Sequence, residues 1–210
     1  MIWRAVWFPL ALGALALASC GPVALGTTGV VLTRSVMQER TTKDALRDTD
    51  VKLSLNKKLL GHSTGLFADV SIDVTEGRVV LTGSVPTRED KVAATELAWA
   101  TQGVRSVSDE LAVQEDSGAV AYLEDAWISN RLRVKLLGDA QISSVNYNVE
   151  TVDKVVHLTG LARSRGELGK VIAHATAVPG VARVVSHVLT IDDPRRQAAP
   201  VTAAVAPAAS

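Results

Sequence analysis

The stretch "VSIDVTEGRVVLTGSV", residues 70–85, recurs as "VNYNVETVDKVVHLTGLA", residues 145–162. Val70, Ile72 and Val74 alternate with polar residues, the period of a half-buried strand. Glu76-Gly77 supplies a tight turn, and Val79-Val80-Leu81 returns as the second strand of a hairpin. The two copies lie 75 residues apart before the turn and 77 after it, which assigns two extra residues to the second turn. Downstream, "TQGVRSV" recurs as "VPGVARV", matching Gly103 to Gly180; upstream, Val51, Leu55 and Leu59 match Ile128, Leu132 and Leu136. The duplicated unit of about 65 residues is a whole small domain, too long for a solenoid repeat.

Each copy reads as helix, strand, strand, helix, strand. The first helix carries apolar residues at i, i+4 and i+8, one stripe of an amphipathic helix. Thr87 is placed to cap the second helix, with Glu89 and Asp90 in its first turn. Ala94, Leu97, Ala98 and Thr101 form its inner stripe, matched by Val171, His174, Ala175 and Val178. Gly103 and Gly180 stand where a left-handed residue ends a helix. A right-handed crossover then brings the last strand into the sheet. The expected fold class is α+β: two tandem αββαβ domains, each a three-stranded mixed sheet with two helices on one face.

The rest of the chain is targeting and connection. Arg4, the apolar run Ala5 to Ala18 and "LASC" at 17–20 read as a secretory signal, too short for a membrane span of ~20 residues. Cys20 is the sole cysteine, and its setting resembles a bacterial lipobox. That resemblance implies cleavage before Cys20, diacylglycerol on its sulfur and acylation of its new N-terminus. Gly21, where an aspartate would resemble an inner-membrane retention signal, implies export to the outer membrane. The expected organisation is signal peptide 1–19, lipidated tether 20–47, first domain 48–115, linker 116–121, second domain 122–193, and an unstructured Ala/Pro-rich tail 194–210.

Charge balances at 22 basic and 22 acidic residues, which argues against nucleic-acid binding. Residues 48–115 hold seven basic and eleven acidic side chains, whereas residues 124–193 hold eight of each.

"V-x-L-x-G-x-V" at Val79 to Val85 with "G-V-x-x-V" at Gly103 to Val107, and their second copies at Val156 to Gly160 and Gly180 to Val184, resemble the BON domain. With the lipobox and tether, the chain is similar to dual-BON outer-membrane lipoproteins of the DolP type. "EDAWISNRLRVKLL", residues 124–137, resembles the helix with which that family binds anionic phospholipid. The resemblance implies lipid contact by Trp127 together with Arg131, Arg133 and Lys135. Helical spacing independently sets Trp127 well off the stripe of Ile128, Leu132 and Leu136, with Arg131 and Val134 on its flank. The alternative is that Trp127 packs against the first domain or its linker. A longer tail and a neutral second domain depart from the family pattern.

Catalytic residues are few. No serine lies in a G-x-S-x-G elbow, "GHSTG" lacks the lysine of a phosphate loop, and no histidine pair has zinc-ligand spacing along the chain. His157 aligns with Val80, which reads as a packing or edge position, and His187 with Glu110, which reads as a strand-surface position. Trp99, aligned with the polar Thr176, is a candidate partner contact. The expectation is a non-enzyme without metal or cofactor beyond the acyl groups on Cys20. Facing the periplasm from the outer membrane, it would bind anionic phospholipid and support envelope integrity. The rival is an adaptor docking on outer-membrane assembly or cell-wall proteins. A small-ion or ligand sensor is a weaker third reading.

Overall fold

The computed structural model describes residues 42–114 and 119–196. The signal peptide, Cys20, the tether up to residue 41, residues 115–118 of the connection and the tail from 197 lie outside the described residues.

The first copy runs α1 (Thr42–His62), α2 (Thr64–Asp69), β1 (Val70–Thr75), β2 (Arg78–Val85), α3 (Arg88–Trp99) and β3 (Ser106–Val113). α1 begins ahead of the expected boundary at Asp48, so its first turns are made from residues read as tether. Its stripe Val51, Leu55 and Leu59 is buried against Ile72, Leu81, Ala94 and Ala98. α2 is an addition to the expected order. The Ser63 side chain caps it by accepting from the backbone N–H of Gly65 and Leu66, and Leu66 then enters the core. Thr87 caps α3 as expected, its hydroxyl oxygen accepting from Asp90 N–H at 3.1 Å. β2 is central, antiparallel to β1 and parallel to β3, giving the mixed sheet.

The second copy runs α4 (Ala119–Gly138), a 3-10 turn (Ser144–Asn146), β4 (Tyr147–Val152), β5 (Val155–Ala162), α5 (Arg165–Thr176), β6 (Arg183–Ser186) and β7 (Leu189–Thr190). α4 starts inside the expected linker. β6 and β7 are one edge strand broken at His187 and Val188. Leu158 pairs with Ser186 and Leu161 with Leu189, so the register is the same on both sides of the break. The sheet therefore counts four strands where three were expected.

One reading of the repeat is corrected. Both hairpin turns have two residues, Glu76-Gly77 and Asp153-Lys154, closed by the pairs Thr75–Arg78 and Val152–Val155. Val70 pairs with Gly83 and Tyr147 with Gly160, so Val70 corresponds to Tyr147 and the copies stay 77 residues apart throughout. The apparent insertion in the turn is a two-residue slip. Strand side chains alternate with period two, so such a slip leaves every residue on its own face and hides in the pattern.

Gly83 and Gly160 explain the glycine of the repeated motif. Their φ angles are +124° and +127°. A Cβ would lie 2.0 Å from Asp69 O at Gly83 and 1.9 Å from Asn146 O at Gly160, where the chain entering each sheet crosses over β2 or β5.

Inward-facing residues of each central strand join that copy's own core: Val79, Leu81 and Val85 in one, Val156, Leu158 and Ala162 in the other. The alternate positions, Val80, Thr82, His157, Thr159 and Leu161, face away from the helices and are nonetheless buried. They are covered because the two sheets pack face to face, β1 against β5 and β2 against β4. These contacts are reciprocal, and Glu110 touches its own structural counterpart His187, as in an isologous two-fold interface. Asp73 accepts hydrogen bonds from Asn148 Nδ2 at 2.7 Å and Thr159 Oγ1 at 3.1 Å.

The tail also begins differently from the expectation. Pro194–Arg196 form a 3-10 turn, and Arg196 grips Glu76 of the first copy at 2.6 Å. The backbone carbonyl of Arg195 accepts from the Arg78 guanidinium. The first residues of a segment expected to pack with nothing therefore strap the second copy to the first.

Candidate functional site

α4 buries Ile128, Leu132 and Leu136. At about 100° per residue, Trp127 falls on the opposite side, and it is 50% exposed. Val120, Leu123 and Val134 share that side through i, i+3, i+4 and i+7 spacing and are 65–72% exposed. Val120, Leu123 and Trp127, with Pro179 and Gly180, edge a shallow groove of about 480 Å³. The guanidinium of Arg131 lies 5.4 Å from the Trp127 ring centroid, in cation–π range. Lys154 and Glu124 pair at 3.0 Å on the groove's rim.

Of the expected lipid-contact residues, Trp127, Arg131 and Val134 come together on this face. Arg133 does not. It turns toward the sheet, donates to the Val149 carbonyl and lies 3.9 Å from Glu150. Burial raises the Glu150 carboxyl above its ordinary value, with the Arg133 charge opposing. Lys135 lies on the side of the core stripe and donates to the Ala177 carbonyl at 3.2 Å. Trp99 is half-buried on α3 of the other copy, apart from this face. Val120 and Leu123 were missed because the helix was read only from Glu124, with Val120 left in the linker. Their spacing from Trp127 was the available signal.

A carboxylate in each copy organises the hairpin turn. Asp48 on α1 accepts from the N–H groups of Glu76 and Gly77, both at 2.8 Å. Asp125, its counterpart on α4, accepts from Asp153 and Lys154 at 2.7 and 2.9 Å. These bonds hold turn residues whose φ is positive, including the non-glycines Glu76, Asp153 and Lys154. Asp48 is thus a turn anchor.

Sheet-to-sheet packing also assembles a cluster the linear spacing hid. His187 Nε2 lies 3.0 Å from Glu110 Oε1, and His157 Nδ1 lies 4.0 Å from Glu110 Oε2. His157 is 4% exposed, and its Nδ1 makes no hydrogen bond. Burial lowers its pKa, Glu110 opposing, so the ring is held neutral.

Comparison with known proteins places this architecture. BON domain matches cover residues 44–115 and 124–191. The chain is 37% identical over 142 residues to an uncharacterised protein from the gshII 5′ region of Anaplasma centrale, spanning 67% of this chain and 93% of that protein. It is 29% identical over 145 residues to osmotically-inducible protein Y of Escherichia coli K12, covering 68% of this chain and 72% of that one. It is also 29% identical over 110 residues to outer membrane lipoprotein DolP of Haemophilus influenzae, covering 52% and 56% respectively. With both copies matched and the repeated glycines accounted for by the chain crossing, this chain belongs to the BON-domain family and carries the domain twice in tandem.

Proposed function

We propose that this chain is a non-catalytic envelope lipoprotein, anchored through Cys20 in the outer membrane and facing the periplasm. In this reading it recognises anionic phospholipid with the exposed face of α4 and so supports envelope integrity. The observation that carries the reading is Trp127, half-exposed in a stripe with Val120, Leu123 and Val134. Indole suits a membrane interface, with an apolar body and a polar N–H. Each of these side chains would contribute roughly 1 kcal/mol on partial burial, and Arg131 about 1 kcal/mol near an anionic surface. Such a face is weak alone. A lipid anchor on the same chain raises its effective concentration at the bilayer and makes a weak reader sufficient. The likeness to outer membrane lipoprotein DolP supports the location.

Co-sedimentation of the non-acylated protein with vesicles tests the reading. Binding is expected with anionic lipid and absent with zwitterionic lipid, and Trp127→Glu is expected to abolish it while shifting stability by less than about 0.5 kcal/mol, as for other surface changes. Undiminished binding by Trp127→Glu would reject the lipid contact. The adaptor reading draws on the acidic surplus of the first copy. It gains if the wild-type protein ignores anionic vesicles.

A further inference from the structure

We propose that Glu110, His157 and His187 form a divalent transition-metal site, of the zinc class, that staples the two BON domains across their sheet-to-sheet interface. One carboxylate oxygen and two imidazole nitrogens lie within 4.8 Å of one another. In a tetrahedral zinc site with bonds of ~2.0–2.1 Å, ligand atoms stand about 3.3 Å apart. His187 Nε2 lies 3.0 Å from one Glu110 oxygen and His157 Nδ1 4.0 Å from the other, so gathering all three ligands on one ion requires the carboxylate and rings to draw in from their present separations of up to 4.8 Å. Two nitrogens and one oxygen suit zinc, cobalt or nickel over magnesium or calcium, and water would complete the coordination.

The second observation is the orphaned Nδ1 of His157. A buried ring nitrogen without a hydrogen bond is costly. This one belongs to a residue that is 4% exposed and lies 4.0 Å from Glu110 Oε2. Its counterpart in the first copy is Val80, so the fold itself has no need of a polar group there. His187 is already hydrogen-bonded to Glu110. On metal binding its Nε2 would give up any proton it carries, either by tautomerising to Nδ1 or by release to solvent, and Glu110 would turn its carboxylate to the ion.

Glu110 belongs to one copy and both histidines to the other, so occupancy couples to how firmly the copies hold together.

The full chain, purified in detergent and stripped with chelator, should bind one Zn²⁺ by calorimetry. It should also develop the visible bands of a four-coordinate ion when titrated with Co²⁺. Zn²⁺, but not Mg²⁺, should raise its thermal midpoint. Glu110→Gln keeps the side-chain shape, and His157→Val installs the first copy's residue. Each should weaken Zn²⁺ binding at least tenfold while His174→Ala leaves it intact. Circular dichroism confirms that each variant is folded. Absence of stoichiometric Zn²⁺ binding, or binding unchanged in both folded variants, would overturn the site.

Discussion

α1 and α4 occupy equivalent places and bury equivalent stripes, Val51-Leu55-Leu59 and Ile128-Leu132-Leu136. Their outer faces have parted. Where α4 presents Val120, Trp127, Arg131 and Val134, α1 presents Lys43, Asp50, Ser54 and Lys57 at the corresponding positions. Leu46 and Leu123, and Leu60 and Leu137, keep the same exposed residue in both helices. The inner stripe of each helix is constrained by the sheet beneath it. The outer face is free to differ: α1 sets Leu46, Leu53 and Leu60 among polar and charged residues, whereas α4 gathers Trp127 with Val120, Leu123 and Val134. The sheets repeat the lesson: where one copy has Val80 and Glu110 the other has His157 and His187, on faces outside each copy's own core. Specialisation is written where the domain's own core does not reach.

The deepest shared feature gives the largest expected effect. Gly83→Ala and Gly160→Ala each force a Cβ into a carbonyl oxygen at a positive φ, and each should cost more than about 3 kcal/mol by chemical denaturation. If either copy tolerates alanine, the two do not share the same crossing. Next comes the acid-sensitive half. Glu167 is buried and accepts from Ser143 N–H at 2.7 Å and from Arg163 N–H and Nε at 2.9 and 3.0 Å. Burial pushes its carboxyl up, but these hydrogen bonds outweigh that and hold it below the ordinary glutamate value.

Its stabilising contribution is therefore complete above the unfolded pKa and is lost as pH falls through the lower folded one. Glu167→Gln should cost about 2 kcal/mol at neutral pH and flatten the loss of thermal midpoint on acidification. Its counterpart Asp90 is only half-buried and accepts from the Thr87 hydroxyl at 2.6 Å. Asp90→Asn should cost under about 0.5 kcal/mol.

The turn anchors separate the copies more finely. Asp48 is 5% exposed and serves a buried N–H, whereas the bonds to Asp125 are solvent-exposed. Asp48→Ala should cost about 2 kcal/mol and Asp125→Ala about 1 kcal/mol. Equal costs would mean that burial of the turn does not distinguish them.

Much of each copy was legible because its determinants are local. Hairpin alternation, the i, i+4, i+8 stripes, the Thr87 cap and the glycines Gly103 and Gly180, at φ +92° and +88°, all act within a few residues of themselves. The two-residue slip between copies was invisible for the same reason, because a period-two pattern looks alike after any even shift. At the candidate site, Trp127, Arg131 and Val134 followed from helical spacing. Arg133 went elsewhere because a long side chain on the flank takes whichever acceptor the neighbouring sheet offers, here the Val149 carbonyl. Val120 and Leu123 were lost to a helix boundary, the weakest point of any pattern reading.

The amino-acid sequence by itself determined the two small α+β units, their cores and the place of Trp127 off the buried stripe, since periodicity and turn chemistry act over one or two elements. Only the tertiary structure decided which outer sheet faces would meet, that Arg196 would strap the copies through Glu76, and that Glu110 would stand between His157 and His187. Those partners lie 47 to 120 residues apart along the chain. What joins them is the packing of whole sheets, whose relative placement depends on the summed burial of both faces and leaves no local mark.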